Sequence, residues 1–394
     1  MNFTGDKMAK TRKVYVYYFG VFLGLILFLM LNADEARSQN EAYRYMNTRA
    51  PFDSLKARNL SVRFENANFF RNNEYKSPVV DGYTLIGLWG RFLMEYYPAN
   101  NLRLQVGGHF LKYHGSEPID KHKSMPYYTI QYNPFHNMEI IFGNFNNNRN
   151  MGLLEMLYEP ENYFTEKPPG GLQVRYANKW LTAQTWINWE NFIFPGDSLQ
   201  EVFTNGSLVD VELIDRENFQ LSVPVQFMYY HEGGEIDSAN KEIQTLMNGA
   251  AGLNFRYRAK RWTFGAEGYY LGYREATANR RQLFTAGYGG LARLSAAFDR
   301  SVVSVGYWQG DRYLSPKGRV LYQSYVLPAN GEIHHRRQLL EGRLVVDIPV
   351  KYGVTFAVEV DTFYDLTEGD FSYCWGLHLM FSESFFLRKI NERH

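Results

Sequence analysis

From about Arg58 to Phe381 the sequence alternates, a bulky apolar or aromatic residue followed by a polar, charged or small one. In 83–97, Ile86, Leu88, Phe92, Met94 and Tyr96 share one parity, and Trp89, Arg91 and Glu95 share the other. A period of two is the mark of a strand whose two faces meet unlike surroundings. The split recurs in 101–114, with Leu102, Leu104, Val106 and Phe110 against Arg103, Gln105 and His109. It recurs in 337–350, with Leu340, Leu344, Val346 and Ile348 against Glu341, Arg343 and Asp347. In 353–364, Val354, Phe356, Val358 and Val360 oppose Thr355, Glu359 and Asp361. A charge facing hydrocarbon costs about 2–4 kcal/mol near the bilayer midplane. Confining charges to one parity therefore reads as one face to lipid and one to water.

Such runs fall at roughly 58–70, 83–97, 101–114, 125–133, 137–144, 171–178, 180–190, 202–214, 217–231, 247–259, 261–273, 283–298, 300–309, 337–350, 353–364 and 370–381. About sixteen strands are expected, with fourteen or eighteen left open. The links alternate in length. Short turns such as Pro98–Asn100, Ala259–Lys260 and Asp299–Arg300 separate long links such as Arg71–Gly82, Asn144–Gly171 and Gly310–Arg336. Short periplasmic turns and long outer loops are the asymmetry of transmembrane barrels. The expected fold is all-β, a transmembrane antiparallel β-barrel in the outer membrane of a Gram-negative bacterium, both termini in the periplasm. Composition agrees. Aromatics make up 17% of the 394 residues, which suits girdles at two interfaces. Mean hydropathy is −0.39, and no run of ~20 apolar residues follows residue 31, so a helical membrane protein is excluded.

Lys7, Lys10, Arg12 and Lys13 precede the apolar run Val14–Leu31, and Ala36-x-Ser38 is a small-x-small site. Residues 1–38 read as a signal peptide. Residues 39–57 are then expected as a short periplasmic segment, 58–381 as the barrel and 382–394 as a periplasmic tail. One cysteine, Cys374, excludes an internal disulfide or a Cys-based metal site. A net charge of +1 gives no pull toward nucleic acid.

The last run alternates Tyr373, Trp375, Leu377, Leu379 and Phe381. It resembles the C-terminal signal of outer-membrane barrels, which ends on an aromatic residue, although here Ser382–His394 follows it. The link Asn144–Gly171 carries Glu155, Glu159, Glu161 and Glu166, with Met151–Tyr158 patterned as a short amphipathic helix. By position it resembles the third loop of general porins, and the resemblance implies a segment folded into the lumen as a constriction. None of the porin loop's sequence motif accompanies it. Inward Arg91, Arg103, Arg175, Arg256 and Arg258 are read as the basic wall facing that loop, a transverse field that selects solutes by charge. Glu341 and Arg343 are read as lumen-lining. For any single charge, an interstrand ion pair is the competing reading.

The candidate enzyme sites are His334-His335 with Glu332 and His114 with Ser116, Glu117 and Asp120. Neither has a spacing that holds a triad on one element. His114, His122 and His136 lack metal-ligand spacing. The sequence thus leads to a non-enzymatic, porin-like channel for small hydrophilic solutes, with no cofactor or metal. Its expected partners are membrane lipid and lipopolysaccharide, with a homo-oligomer or partner lipoprotein also open. The alternative is a non-conducting barrel of an assembly or secretion complex.

Overall fold

The computed structural model describes residues 45–115, 123–145, 151–234, 238–239, 241–277, 279–326 and 331–390. The strands are β1 (Asn59–Ser77), β2 (Val80–Ala99), β3 (Leu102–Tyr113), β4 (Lys123–Tyr132), β5 (Met138–Asn144), β6 (Gly170–Ala177), β7 (Leu181–Asn191) and β8 (Val202–Asp215). They continue as β9 (Phe219–Glu232), β10 (Gln244–Ala259), β11 (Trp262–Glu275), β12 (Ala286–Phe298), β13 (Ser301–Asp311), β14 (Arg336–Pro349), β15 (Val354–Asp365) and β16 (Phe371–Lys389). Each pairs antiparallel with its neighbours, and β1 with β16 closes the barrel. Closure leaves no strand edge unpaired, as a sheet in hydrocarbon requires.

The parities hold. Ile86, Phe92, Val106, Phe110 and Leu340 are exposed on the outer wall, while Arg91, Glu95, Arg103, Gln105, His109, Glu359 and Asp361 are buried inside. Val346 has the outward parity, opposite Val358, yet neighbouring side chains bury it. One prediction follows from the outer wall. Val225→Arg, midway along β9 on that wall, is expected to cost about 2–4 kcal/mol of folding free energy in vesicles, measured by urea titration.

Three boundaries differ from the sequence reading. The link expected at 71–82 is instead a hairpin between Ser77 and Val80. Arg71 and Asn73 continue the inward parity of Arg63 and Glu65, and inward polar residues had looked like a loop. The last strand does not stop at Phe381 but pairs with β1 as far as Lys389 opposite Asn59. The segment expected in the periplasm also enters the barrel, with Tyr45, Met46 and Thr48 buried among lumen-facing side chains. The expected leader lies outside the described residues.

At the short-turn end, Lys260 and Asp299 take left-handed φ values of 57° and 50° in two-residue hairpins. At the other end two loops turn inward. They are the third (145–169) and the seventh (312–335), the latter carrying a two-residue ladder of Tyr325–Val326 with Ile333–His334.

Candidate functional site

The third loop does not form the helix expected at 151–158. Met151 and Gly152 both take left-handed φ, 56° and 76°, which breaks it, and a single helical turn forms later at Asn162–Thr165. Phe145, Met151, Leu153, Met156 and Leu157 instead bury against inward Trp186, Met228, Leu271 and Trp308 and against Leu321 and Tyr322 of the seventh loop. Polar groups key the contact. Leu154 N–H donates to Gln226 at 2.8 Å, and the Gln184 amide donates to the Met151 carbonyl.

Between the two loops sits a charge cage. Glu155 accepts from Arg293 (2.8 Å), Arg319 (2.9 Å) and Arg343 (2.8 Å). Arg319 also meets Glu159 (3.1 Å) and Asp361 (3.0 Å), and Arg343 meets Asp361 at 2.6 Å. Glu341 accepts from Arg293 at 2.5 Å and from the Tyr322 hydroxyl. Burial alone would raise the Glu155 pKa. Arg343, Arg319 and Arg293 outweigh it and hold the carboxyl down at about 2. Glu359, Asp361 and Cys374 place their ligand atoms within 4.8 Å of one another, but arginines already fill that cluster. Arg71 touches Glu359 and Cys374, and Asp361 accepts from Arg319 and Arg343.

The expected basic wall is therefore divided. Arg91 is held by Glu65 (3.1 Å) and His109 (3.2 Å) over the Trp89 ring, and Arg103 by Gln131, Glu95 and the Ala50 carbonyl. Among the described residues, neither is paired with the acidic loop. Arg175 meets Glu139 (3.3 Å), while Arg256 and Arg258 share Gln220 at 3.2 and 3.1 Å. The arginines that do pair with that loop are Arg71, Arg293, Arg319 and Arg343. The first lay in a supposed link and Arg319 in a distant loop, so spacing gave no signal for either. Beneath the third loop lies a cavity of about 740 Å3 toward the short-turn end, lined by Arg175, Arg256, Glu139, Asp210, Gln173 and Asn254 among others.

The outer wall carries a second feature. On β9 the outward parity runs Phe219, Leu221, Val223, Val225, Phe227, Tyr229, His231. Strand rise and tilt place His231 about 30 Å above Phe219, just beyond an apolar band of about 25 Å. There His231 Nδ1 lies 2.9 Å from Thr245 Oγ1 on β10, directly opposite in register. The imidazole packs on the Phe203 ring, centroids 5.0 Å apart, and Phe203 in turn on Trp189. Arg274, exposed on β11, pairs in register with Met247, two residues beyond Thr245. A base in contact with a hydroxyl on an aromatic floor, with a cation on the same outer wall one strand further on, is a constellation for acyl-ester chemistry.

The family described as Lipid A 3'-O-deacylase-type matches residues 52–390. The chain belongs to that family. Membership spans the whole barrel and overturns the expectation of a non-enzymatic protein, because this is an enzyme family. His231 and Thr245 sit on neighbouring strands and meet only through the register, so no spacing within one element or loop points to the pair. One signal was legible: a histidine on an otherwise apolar parity. Among solved structures, a loop-deleted OmpT of Vibrio cholerae is 10% identical over 82% of this chain and 99% of its own, with TM-score 0.50. OprD and OpdK of Pseudomonas aeruginosa are 10% and 11% identical over 84% of this chain and 97% and 100% of theirs, both with TM-score 0.49. At these identities the likeness is one of fold. No curated protein sequence matches. This member of the deacylase-type family is an outer-membrane β-barrel.

Proposed function

We propose that the protein hydrolyses an acyl ester of lipid A on the lipid-facing wall of its barrel, at the long-loop rim between β9 and β11. The observation that carries this is the His231–Thr245 contact, placed where the apolar band gives way to polar surroundings. Family membership supplies the substrate class. Acyl chains of lipid A lie in the outer leaflet, so their ester carbonyls come level with this rim without leaving the membrane. His231 acts as general base on the Thr245 hydroxyl or on a water beside it. The oxygen adds to the ester carbonyl, and the sugar oxygen leaves with the proton that His231 returns. Attack by water gives the free fatty acid directly, whereas attack by Thr245 leaves an acyl-threonine ester that a water activated by His231 then hydrolyses, restoring the hydroxyl. Arg274 suits a lipid A phosphate. The test is purified protein in mixed micelles with lipid A. A product lighter by one acyl chain in mass spectrometry supports the reading, and unchanged lipid A with folded protein removes it.

A second reading, passage of small hydrophilic solutes, draws support from the charged cavity below the third loop. It expects low ohmic conductance in planar bilayers that rises when residues 151–165 are replaced by a short glycine-serine link. A silent, folded loop variant would end it.

A further inference from the structure

Residues 45–50 run inside the lumen, with Tyr45, Met46 and Thr48 buried. They climb from the short-turn end along the inner faces of β16 and β1–β3 to the middle of the lumen. The Tyr45 hydroxyl donates to Glu359. Its ring stacks on His378 (4.9 Å), which stacks on Phe164 of the third loop (4.8 Å). Met46 is fully buried with Phe69, Trp89 and Leu111. The Thr48 hydroxyl lies 3.0 Å from that of Tyr163, and its carbonyl accepts from Arg63 (2.5 Å) and Ser382 (2.8 Å). Arg49 pairs with Glu139, and the Ala50 carbonyl accepts from Arg103 at 3.3 Å.

Barrel closure needs none of this, since the strands satisfy one another without it. The groove is also incompletely matched. Among the described residues, His378 Nδ1 and the Trp89 indole N–H are buried without a hydrogen-bond partner, while His378 Nε2 faces the Glu359 carboxylate at 3.7 Å. Buried polar groups left unpaired cost about 1–3 kcal/mol each, so the segment is held less tightly than a fully matched contact would hold it.

We propose that the lumen holds a peptide-binding groove, entered from the short-turn end, which residues 45–50 occupy as an exchangeable ligand in cis. The class of ligand is a short peptide with an aromatic hydroxyl at one end and a guanidinium four residues on, turned at its start as Tyr45 and Met46 are. Carbonyls along it meet Arg63, Ser382 and Arg103. The tether gives the cis segment an effective concentration of order millimolar, so a competitor must be supplied at that level or above.

The test uses the full chain in detergent, with Met46→Cys or Thr48→Cys labelled by a polyethylene-glycol maleimide. Cys374 is fully buried and gives the unreactive baseline, and Leu55→Cys, 90% exposed, gives the open limit. Labelling at 46 and 48 is expected to be roughly a hundredfold slower than at 55. It should accelerate when free peptide of residues 45–51 is added in excess, and not with the peptide whose tyrosine and arginine are alanine. A barrel whose residues 45–50 are replaced by glycine and serine should bind the labelled peptide saturably. Equal labelling at 46, 48 and 55 would overturn the groove. Protection that no peptide relieves, with no binding by the folded, replaced barrel, would make the segment a fixed part of the wall and overturn exchange.

Discussion

His231→Ala is expected to lower lipid A deacylation by about a hundred- to ten-thousand-fold, the usual worth of a positioned general base. The barrel should fold normally, since the imidazole sits at the rim on Phe203 and closes no core contact. Thr245→Val separates two routes. If the threonine oxygen attacks, activity falls as far as in His231→Ala, and the double variant is no worse, because groups acting as one unit are not additive. If water attacks and Thr245 only orients the ring, the loss is smaller and kcat keeps its pH profile. The measurement is the rate of fatty-acid release at matched folded protein. A His231→Ala protein as active as the parent would move the site elsewhere on the wall. The next place to look is the polar strip on β1–β3. There Asn66 donates to the Trp89 carbonyl at 2.8 Å, and Thr84, Asn72 and Glu74 form a chain of 2.7 and 2.9 Å hydrogen bonds. Lys112 and His114 are exposed beside it. Amides facing the lipid side are costly unless something polar meets them, so Asn66→Leu and Glu74→Gln belong in the same assay as comparators.

The barrel was legible because one physical constraint acts on every strand. Hydrocarbon on one side and polar surroundings on the other force the parity, and Ile86, Arg91, Phe110 and Glu359 each fall where that rule puts them. The rule fails where its premise lapses. Arg71 looked like loop because it is polar, yet a polar residue is what the inner face takes, and Arg71 meets Glu359 there. Loops obey no parity. That the third and seventh loops meet at Glu155 and Arg319 depends on a contact 164 residues apart, which no local pattern encodes. The candidate catalytic pair was half visible. His231 stands out on its own strand, but its partner is fixed by the β9–β10 register, and the sequence leaves the length of the intervening loop to decide that.

Glu155→Gln is expected to release both inward loops together. The carboxylate touches Arg293, Arg319 and Arg343 at once, within 2.9 Å of each. Removing one charge from a buried network costs about 3–5 kcal/mol, because the opposite charges stay behind. Here the loss falls toward the lower end, since Arg293 keeps Glu267 and Glu341, and Arg319 and Arg343 keep Asp361. Sixteen paired strands hold the barrel regardless, so the energy is taken from loop docking and not from global unfolding. Trypsin should then cut after Lys317 and Arg319, sites that packing shields in the parent, while the strands stay intact on a gel. The same cage sets a pH window. A carboxyl held at about 2 in the folded protein, below its ordinary 4.5, contributes stability that is fully present above 4.5. That contribution is lost as pH falls from 4.5 toward 2. Parent protein should therefore resist trypsin after brief exposure to pH 5 and lose protection only on going well below 4. A Glu155→Gln protein with parental resistance would mean that the apolar packing of Leu153, Met156 and Leu157 anchors the loops alone.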